Sequence, residues 1–152
     1  MVQTFTCKDW FMATQWKDTF SLHHATIDAQ HQELFRLANF VENIDARTIT
    51  KLELATLFKE FFDYMRTHFS EEEAYMESIG YPLLDSHKKL HQDIVETISD
   101  TLQKKKTVQE LQQAMKDASH RWLVDHILNH DLKIEKWAKG NRVTDSDMNQ
   151  LS

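Results

Sequence analysis

The stretch LDSHKKLHQDIVETISDTLQK, residues 84–104, has the hydrophobic spacing of an amphipathic helix. Residues on one face recur at steps of three and four, and they are Leu84, His87, His91, Ile94, Ile98 and Leu102. The stretch ends at the run Lys104-Lys105-Lys106, whose charges suit the carboxyl end of a helix dipole. Two histidines therefore share the helix face that apolar residues direct toward a protein core.

Two earlier segments have the same period. A helix is predicted over about Ala25–Asn43, and its inward stripe is Ile27, His31, Leu34, Ala38 and Val41. Another is predicted from Thr50, which forms a capping-box pattern with Glu53. Its inward stripe is Leu54, Phe58, Phe61, Met65, His68, Glu72 and Met76. The sequence Gly80-Tyr81-Pro82 then predicts a turn, because Gly suits a helix end and Pro the start of the next element.

A fourth helix is predicted from Thr107, which forms a second capping-box pattern with Glu110. Its inward stripe is Leu111, Met115, Ala118, Trp122 and His126. Helicity is expected to fade between Asn129 and Gly140. Four amphipathic helices with short connections predict an all-α, antiparallel up-down-up-down four-helix bundle. We expect residues 1–22 to be an arm packed on the bundle, 23–139 to be the bundle, and 140–152 to be a polar tail.

Composition supports this architecture and narrows the function. The 152 residues contain two Gly and one Pro, too few for the frequent turns of sheet folds. The net charge of -6 argues against nucleic-acid or membrane-surface binding, since both depend on clustered basic residues. No run approaches the about 20 apolar residues that cross a bilayer. The single cysteine, Cys7, has no internal disulfide partner, and the first twenty residues lack a signal-peptide pattern. We therefore expect a cytoplasmic protein.

Histidine and carboxylate side chains lie on the predicted inward stripes. They are His31, His68, Glu72, His87, His91 and His126. Burial without partners costs roughly 1–3 kcal/mol for each polar group, and a metal centre supplies such partners. The pairs His68/Glu72 and His87/His91 are four residues apart, so each pair is able to chelate an ion. Imidazole and carboxylate donors without thiolate suit iron, manganese or zinc.

Four sequence fragments contain the candidate ligands, and they are IDAQHQELF at 27–35, HFSEE at 68–72, HKKLH at 87–91, and WLVDH at 122–126 with Asp131 after it. Together they resemble the hemerythrin family in its bacterial form. Each fragment alone is a weak signal, but all four in this order and spacing are highly specific. The resemblance extends from about Trp16 to Trp137.

The resemblance implies two non-haem iron ions per chain, joined by an oxo or hydroxo bridge. It assigns the protein ligands as follows: His87, His91 and His126 to one iron, His31 and His68 to the other, and Glu72 and Asp131 to both. The iron held by His31 and His68 then keeps one open position. The implied function is reversible dioxygen binding by a carrier, store or sensor, without enzymatic activity. Leu123, one turn before His126, matches the family's pocket-lining leucine.

The remaining polar residues have simpler interpretations. A single core histidine is more often hydrogen-bonded to a neighbour than bound to a metal, but that explanation does not account for five histidines at one level. Glu71 and Glu73 are expected on a solvated face, although Glu71 is also spaced to turn inward beside His68. His120 is expected to be exposed. His23 and His24 are expected in the arm or on the surface, with support of a metal ligand as the alternative.

Two other functions compete with oxygen binding. The first is a di-iron oxidase, a peroxidase or an iron-handling protein of the ferritin-like type, which shares the bundle but usually has more carboxylate ligands. Five histidines against two carboxylates argue against it, because fewer anionic donors stabilise high-valent iron less well. The second is a structural zinc bundle, for which four ligands suffice and three candidates stay unexplained.

Helical periodicity and family resemblance disagree after His126. A step of four residues selects His130 as the partner on the same face, whereas the family pattern selects Asp131. Five residues overshoot a helical turn by roughly 140°, so Asp131 reaches the metals only if the helix loosens, widens to a π turn or ends there. A carboxylate is able to bridge two irons and a neutral imidazole is not, which favours Asp131. We therefore predict a local distortion between His126 and Asp131, with His130 facing outward or supporting a ligand.

Overall fold

The computed structural model describes residues 15–140, which form helices and short connections without a strand. The helices are α1 (Ala25–Asn43), α2 (Lys51–Ser78), α3 (Leu84–Lys104), α4 (Val108–Ala118) and α5 (Leu132–Ala138). A π-helical backbone over Ser119–Val124 and Ile127–Asp131 joins α4 to α5, so residues 108–138 form one continuous fourth helix. The predicted all-α class and four-helix bundle are confirmed. Cys7 and the predicted polar tail after Gly140 lie outside the described residues.

Both predicted capping boxes are present. At the start of α2, the backbone N–H of Glu53 donates to Thr50 Oγ1 at 3.2 Å, and the N–H of Thr50 donates to Glu53 Oε2 at 2.8 Å. The start of α4 repeats this exchange between Thr107 and Glu110, with both bonds at 3.1 Å. These bonds satisfy backbone donors that lack a partner within the first helical turn.

The turn after α2 ends that helix at Gly80. Gly80 has a φ of 62°, a left-handed conformation that a Cβ atom disfavours. The N–H of Gly80 donates to Glu77 O at 3.1 Å, and that of Tyr81 donates to Met76 O at 2.9 Å. This pattern is a Schellman motif, which satisfies the last carbonyls of α2 and directs the chain into α3.

Helix packing closes the bundle. α1 packs against α2 and the fourth helix, and α3 packs against the same two neighbours. Gln112 in α4 donates from Nε2 to the carbonyl of Val41 at 3.3 Å and to that of Ile44 at 2.6 Å, at the end of α1. This contact ties the fourth helix to the first. No helix in the span 15–140 is long and apolar enough to cross a membrane.

The buried apolar residues form two clusters. The larger one contains, among others, Leu34, Phe58, Met65, Ile94 and Met115. The smaller one consists of Leu22, Ile27, Met76, Tyr81, Leu83 and Ile134. On α1, His31 lies between Ile27 of the smaller cluster and Leu34 of the larger one. Each of the other three helices also passes from one cluster to the other through its histidine and carboxylate residues. A polar layer therefore separates two apolar cores.

The expectation that helicity fades between Asn129 and Gly140 is wrong. α5 continues the fourth helix as far as Ala138. Ile134 is fully buried in the smaller cluster, and Trp137 donates from Nε1 to the carbonyl of Ile79 at 3.0 Å. Packing against the turn after α2 therefore stabilises a segment in which the Leu, Lys, Glu and Ala residues already favour a helix.

The described part of the predicted arm packs on α1. Phe20 is buried and its ring stacks on Phe35 with centroids 5.5 Å apart. Asp28 accepts hydrogen bonds from Ser21 Oγ at 2.6 Å and from the N–H of Leu22 at 2.8 Å. These contacts place residues 15–22 beside the polar layer.

Candidate metal centre

Each helix contributes to the polar layer between the two cores. α1 provides His31, α2 provides His68 and Glu72, α3 provides His87 and His91, and the fourth helix provides His126 and Asp131. All seven side chains are buried, and none is more than 6% exposed. The structure thus brings together every residue that the sequence and the family resemblance select as a ligand.

Their potential ligand atoms form two groups that share both carboxylates. One group contains His87, His91 and His126, and the other contains His31 and His68. Glu72 and Asp131 belong to both, and the ligand atoms within each group lie within 4.8 Å of one another. The seven side chains therefore form two adjacent groups of potential ligand atoms that share both carboxylates.

The two oxygens of each carboxylate face different groups of histidines. Glu72 Oε2 lies 2.9 Å from His68 Nε2, whereas Glu72 Oε1 lies 3.3 Å from His87 Nε2. Asp131 Oδ2 lies 3.3 Å from His31 Nε2, whereas Asp131 Oδ1 lies 3.0 Å from His126 Nε2. This is the disposition expected of carboxylates that span two cations.

A π-helical turn brings Asp131 into the layer. The backbone over Ile127–Asp131 has π geometry, so the predicted distortion between His126 and Asp131 is confirmed. Backbone hydrogen bonds in a π-helical turn join residues five positions apart, whereas those in an α-helical turn join residues four positions apart. Asp131 therefore lies on the same side of the helix as His126. His130 remains half-buried outside both groups, with its ring centroid 5.3 Å from that of His126.

The polar layer contains buried atoms without hydrogen-bond partners. They include the Nε2 atoms of His31, His87, His91 and His126 and both oxygens of Glu72 and Asp131. Several lie about 3 Å from one another, but their angles do not satisfy hydrogen-bond geometry. Unsatisfied buried groups are rare and destabilising in folded proteins. Convergent nitrogen and oxygen donors without thiolate fit cations such as non-haem iron, which would satisfy all these atoms together.

Electrostatics favour a cation at this site. Burial and the charge of Asp131 oppose ionisation of Glu72, but contacts with His68 and His87 outweigh them and lower its pKa to about 2. Burial also raises the pKa of a carboxyl group such as Asp131, yet its contacts with His126, His31 and His87 hold its pKa well below the usual range. Both carboxylates therefore stay ionised in a site that excludes water.

The pKa values of His87 and His91 shift in opposite directions within this environment. Burial disfavours the charged ring of His87, but the adjacent Asp131 and Glu72 outweigh it and raise its pKa to about 9. Burial lowers the pKa of His91 to about 2, so that ring is neutral. The cluster therefore combines anionic carboxylates with a neutral donor ring at His91, which suits cation binding.

Two outer contacts were not foreseen from the sequence. His91 Nδ1 lies 2.8 Å from Glu73 Oε1, and His68 Nδ1 lies 2.8 Å from Gln30 Oε1. Glu73 is half-buried, so the expectation that it lies on a solvated face is wrong. Burial raises its pKa above the ordinary value. Glu71 is exposed, and it accepts a hydrogen bond from Gln30 Nε2.

A small apolar cavity adjoins the side of the cluster formed by His31 and His68. It measures about 20 Å³, and its lining includes Leu123, Met65 and Phe61. From the cluster, the lining includes His31, His68 and Asp131 together with His126, but neither His87 nor His91. About 10–15 Å³ on the same scale accommodates one water molecule, so the cavity has room for one very small molecule. Leu123, which the family resemblance assigns to a ligand pocket, lines this cavity.

The other histidines lie outside the cluster. His120 is exposed, as expected. His23 is an exposed residue with a φ of 53°, and its Nδ1 lies 2.8 Å from Glu135 Oε1. His24 caps α1, because its Nδ1 accepts a hydrogen bond from the N–H of Ile27 at 3.3 Å. Both therefore have structural contacts at the beginning of the bundle.

The four-helix bundle and its buried cluster of histidines and carboxylates place this chain in the class of all-helical, non-haem metal-binding proteins. The family model described as hemerythrin HHE cation binding domain matches residues 22–138. The chain belongs to the hemerythrin family. Family membership and the donor set together indicate a non-haem iron site.

Curated relatives support this assignment. Myohemerythrin of Theromyzon tessulatum is 34% identical over 119 residues, which are 78% of this chain and 88% of that protein. Bacteriohemerythrin of Campylobacter jejuni is 28% identical over 118 residues, covering 77% of this chain and 89% of that protein. Bacteriohemerythrin of Pseudomonas aeruginosa is 28% identical over 116 residues, covering 76% and 75%. A comparison with solved structures found no significant match.

Proposed function

We propose that this chain holds two non-haem iron ions, joined by an oxo or hydroxo bridge, and binds dioxygen reversibly beside them. The ligands of the first iron would be His87, His91 and His126, and those of the second would be His31 and His68. Glu72 and Asp131 would bind both. The opposed carboxylate oxygens support this arrangement, because each carboxylate faces both groups of histidines.

Unequal donor numbers favour a free coordination position at the second iron. The His87 group offers three imidazoles and two carboxylate oxygens, whereas the His31 group offers two imidazoles and two carboxylate oxygens. The cavity is lined by both histidines of the group with fewer donors, and by one of the three histidines, His126, of the other group. When bound, the iron pair supplies the electrons and the coordination position that dioxygen requires. The proposal rests on this observation: a cavity adjoins the pair of histidines that offers one imidazole fewer than the other group.

The size and lining of the cavity favour dioxygen binding over oxidation of an organic substrate. A volume of about 20 Å³ suits a diatomic molecule and is far below the roughly 300–1,000 Å³ of ordinary ligand pockets. Leu123, Ile127 and Phe61 provide apolar contacts and no proton donor. Five histidines and two carboxylates also supply fewer anionic donors than the sites of di-iron oxidases and ferritin-like proteins. These apolar contacts support reversible binding, because they would keep water away from a ligand in the cavity.

Anaerobic reconstitution with ferrous iron tests the proposal. We expect about two irons per chain and an absorption band that appears on exposure to air and disappears at low oxygen pressure. A single bound zinc per chain, or an irreversible spectral change in air, would contradict reversible dioxygen binding. Steady consumption of oxygen with an added reductant would favour an oxidase instead.

A further inference from the structure

The outer nitrogens of two proposed ligands have partners of different charge. His91, proposed to bind the first iron, contacts the carboxylate of Glu73. His68, proposed to bind the second iron, contacts the amide of Gln30. Both contacts are 2.8 Å long and both involve Nδ1. The two cation positions therefore differ beyond the seven proposed ligands.

The contact with Gln30 determines the tautomer of His68. Gln30 Nε2 donates to the carboxylate of Glu71, which has no proton to offer, so the other amide atom near His68 is the carbonyl oxygen. A carbonyl oxygen only accepts, and His68 Nδ1 must therefore carry the proton. The Nε2 lone pair of His68 is then directed into the cluster toward the cation position.

The contact with Glu73 has the same effect on His91 but adds a charge. His91 is nearly fully buried, and its Nδ1 lies 2.8 Å from Glu73 Oε1; because a carboxylate oxygen accepts, Nδ1 carries the proton and donates it to Glu73. His91 Nε2 has no hydrogen-bond partner and faces the cluster. A carboxylate at the outer nitrogen increases the basicity of an imidazole ligand more than a neutral amide does.

The surroundings of the two outer partners reinforce this difference. Glu73 lies in an open groove that Arg66 and Lys88 also line, and these cationic side chains favour the ionised form of Glu73. At the outer nitrogen of His68, the nearest carboxylate beyond Gln30 is that of Glu71, which is one hydrogen bond further from the ring. An anionic group therefore contacts Nδ1 of His91 directly, whereas a neutral amide contacts Nδ1 of His68.

We propose that Glu73 and Gln30 are positioning residues, and that Glu73 makes the His91 position the more strongly donating of the two iron positions. The inference rests on the proposed function, because it requires two irons. Glu73 and Gln30 act through His91 and His68, and neither belongs to the clusters of ligand atoms. The consequence is an electronic asymmetry that the ligand count alone does not produce.

Four variants separate positioning from a merely structural role. Glu73→Ala removes the acceptor, while Glu73→Gln keeps an acceptor oxygen and removes the charge. Gln30→Ala removes the partner of His68. Glu77→Gln is the matched control, because Glu77 is exposed on the same helix one turn away and its substitution removes the same charge. Circular dichroism and thermal melting establish that each variant is folded.

Two measurements use each protein loaded with ⁵⁷Fe. Chelator competition should show iron binding about 10–100-fold weaker in Glu73→Ala, with Glu77→Gln equal to the wild type. Mössbauer spectra resolve the two irons as separate components. Glu73→Gln should retain two irons and shift one component, and Gln30→Ala should shift the other.

The possible outcomes distinguish this inference from the proposed function. Wild-type protein with fewer than two irons overturns both. Wild-type protein with two irons, together with a Glu73→Ala variant that behaves like Glu77→Gln, overturns the positioning role alone. Equal shifts of both Mössbauer components in Glu73→Gln would overturn the asymmetry. Selective shifts in opposite components for the Glu73 and Gln30 variants would support it.

Discussion

Replacing Leu123 by Ala tests the proposed ligand cavity and has a predictable effect on stability. Leu123 is 9% exposed and lines the cavity beside His31 and His68. Buried Leu→Ala changes cost about 2.7–5.0 kcal/mol, rising by about 24 cal/mol for each Å³ of cavity. The existing 20 Å³ would merge with the new space and contribute about 0.5 kcal/mol. The partial exposure of Leu123 favours the lower end of the range, about 3 kcal/mol in all.

Thermal melting and optical spectroscopy measure the two consequences. A loss of about 3 kcal/mol lowers the melting temperature by about 6–12 °C in a chain of this size. The air-induced absorption band should also decay faster, because the larger cavity admits water to a site that the leucine keeps dry. Both effects should appear in one variant.

Ile134→Ala is the matched control. Ile134 is fully buried in the smaller apolar cluster and does not line the cavity. It should lose about 2–5 kcal/mol of stability and keep the wild-type decay rate. A Leu123→Ala protein whose band lasts as long as that of the wild type would refute the cavity assignment. Equally fast decay in both variants would show that general destabilisation, and not access to the cavity, controls the rate.

Two further predictions concern the proposed ligands. His31→Ala removes one of two imidazoles at the second iron position, so iron content should fall or the air-induced band should vanish while circular dichroism stays helical; full iron loading with an unchanged band would remove His31 from the site. Asp131→Ala should abolish binding of the iron pair, since Asp131 faces both groups of histidines, whereas His130→Ala should leave iron content and the band nearly intact. The opposite result, with His130 essential and Asp131 dispensable, would show that this protein departs from the family pattern at its bridging ligand.

Sequence patterns within single helices determined most of the fold. The start of α2 follows from Thr50 and Glu53, and the start of the fourth helix from Thr107 and Glu110, because each capping box involves residues only three positions apart. The inward stripes identified six of the seven buried polar side chains of the cluster, because residues three and four positions apart lie on the same face of a helix. The seventh, Asp131, required the family resemblance in addition to the spacing.

Tertiary structure decided the features that depend on contacts between helices. The contact between Glu73 and His91 depends on the register of α2 against α3, and the contact between Gln30 and His68 on the register of α1 against α2. Beyond Asn129, the helix is stabilised by the burial of Ile134 among residues of other helices, a contact between distant parts of the chain. Hydrophobic period indicates which face is buried, but the fit of side chains from neighbouring helices determines which atoms meet. The cavity beside Leu123 likewise exists only where packed helices leave a gap.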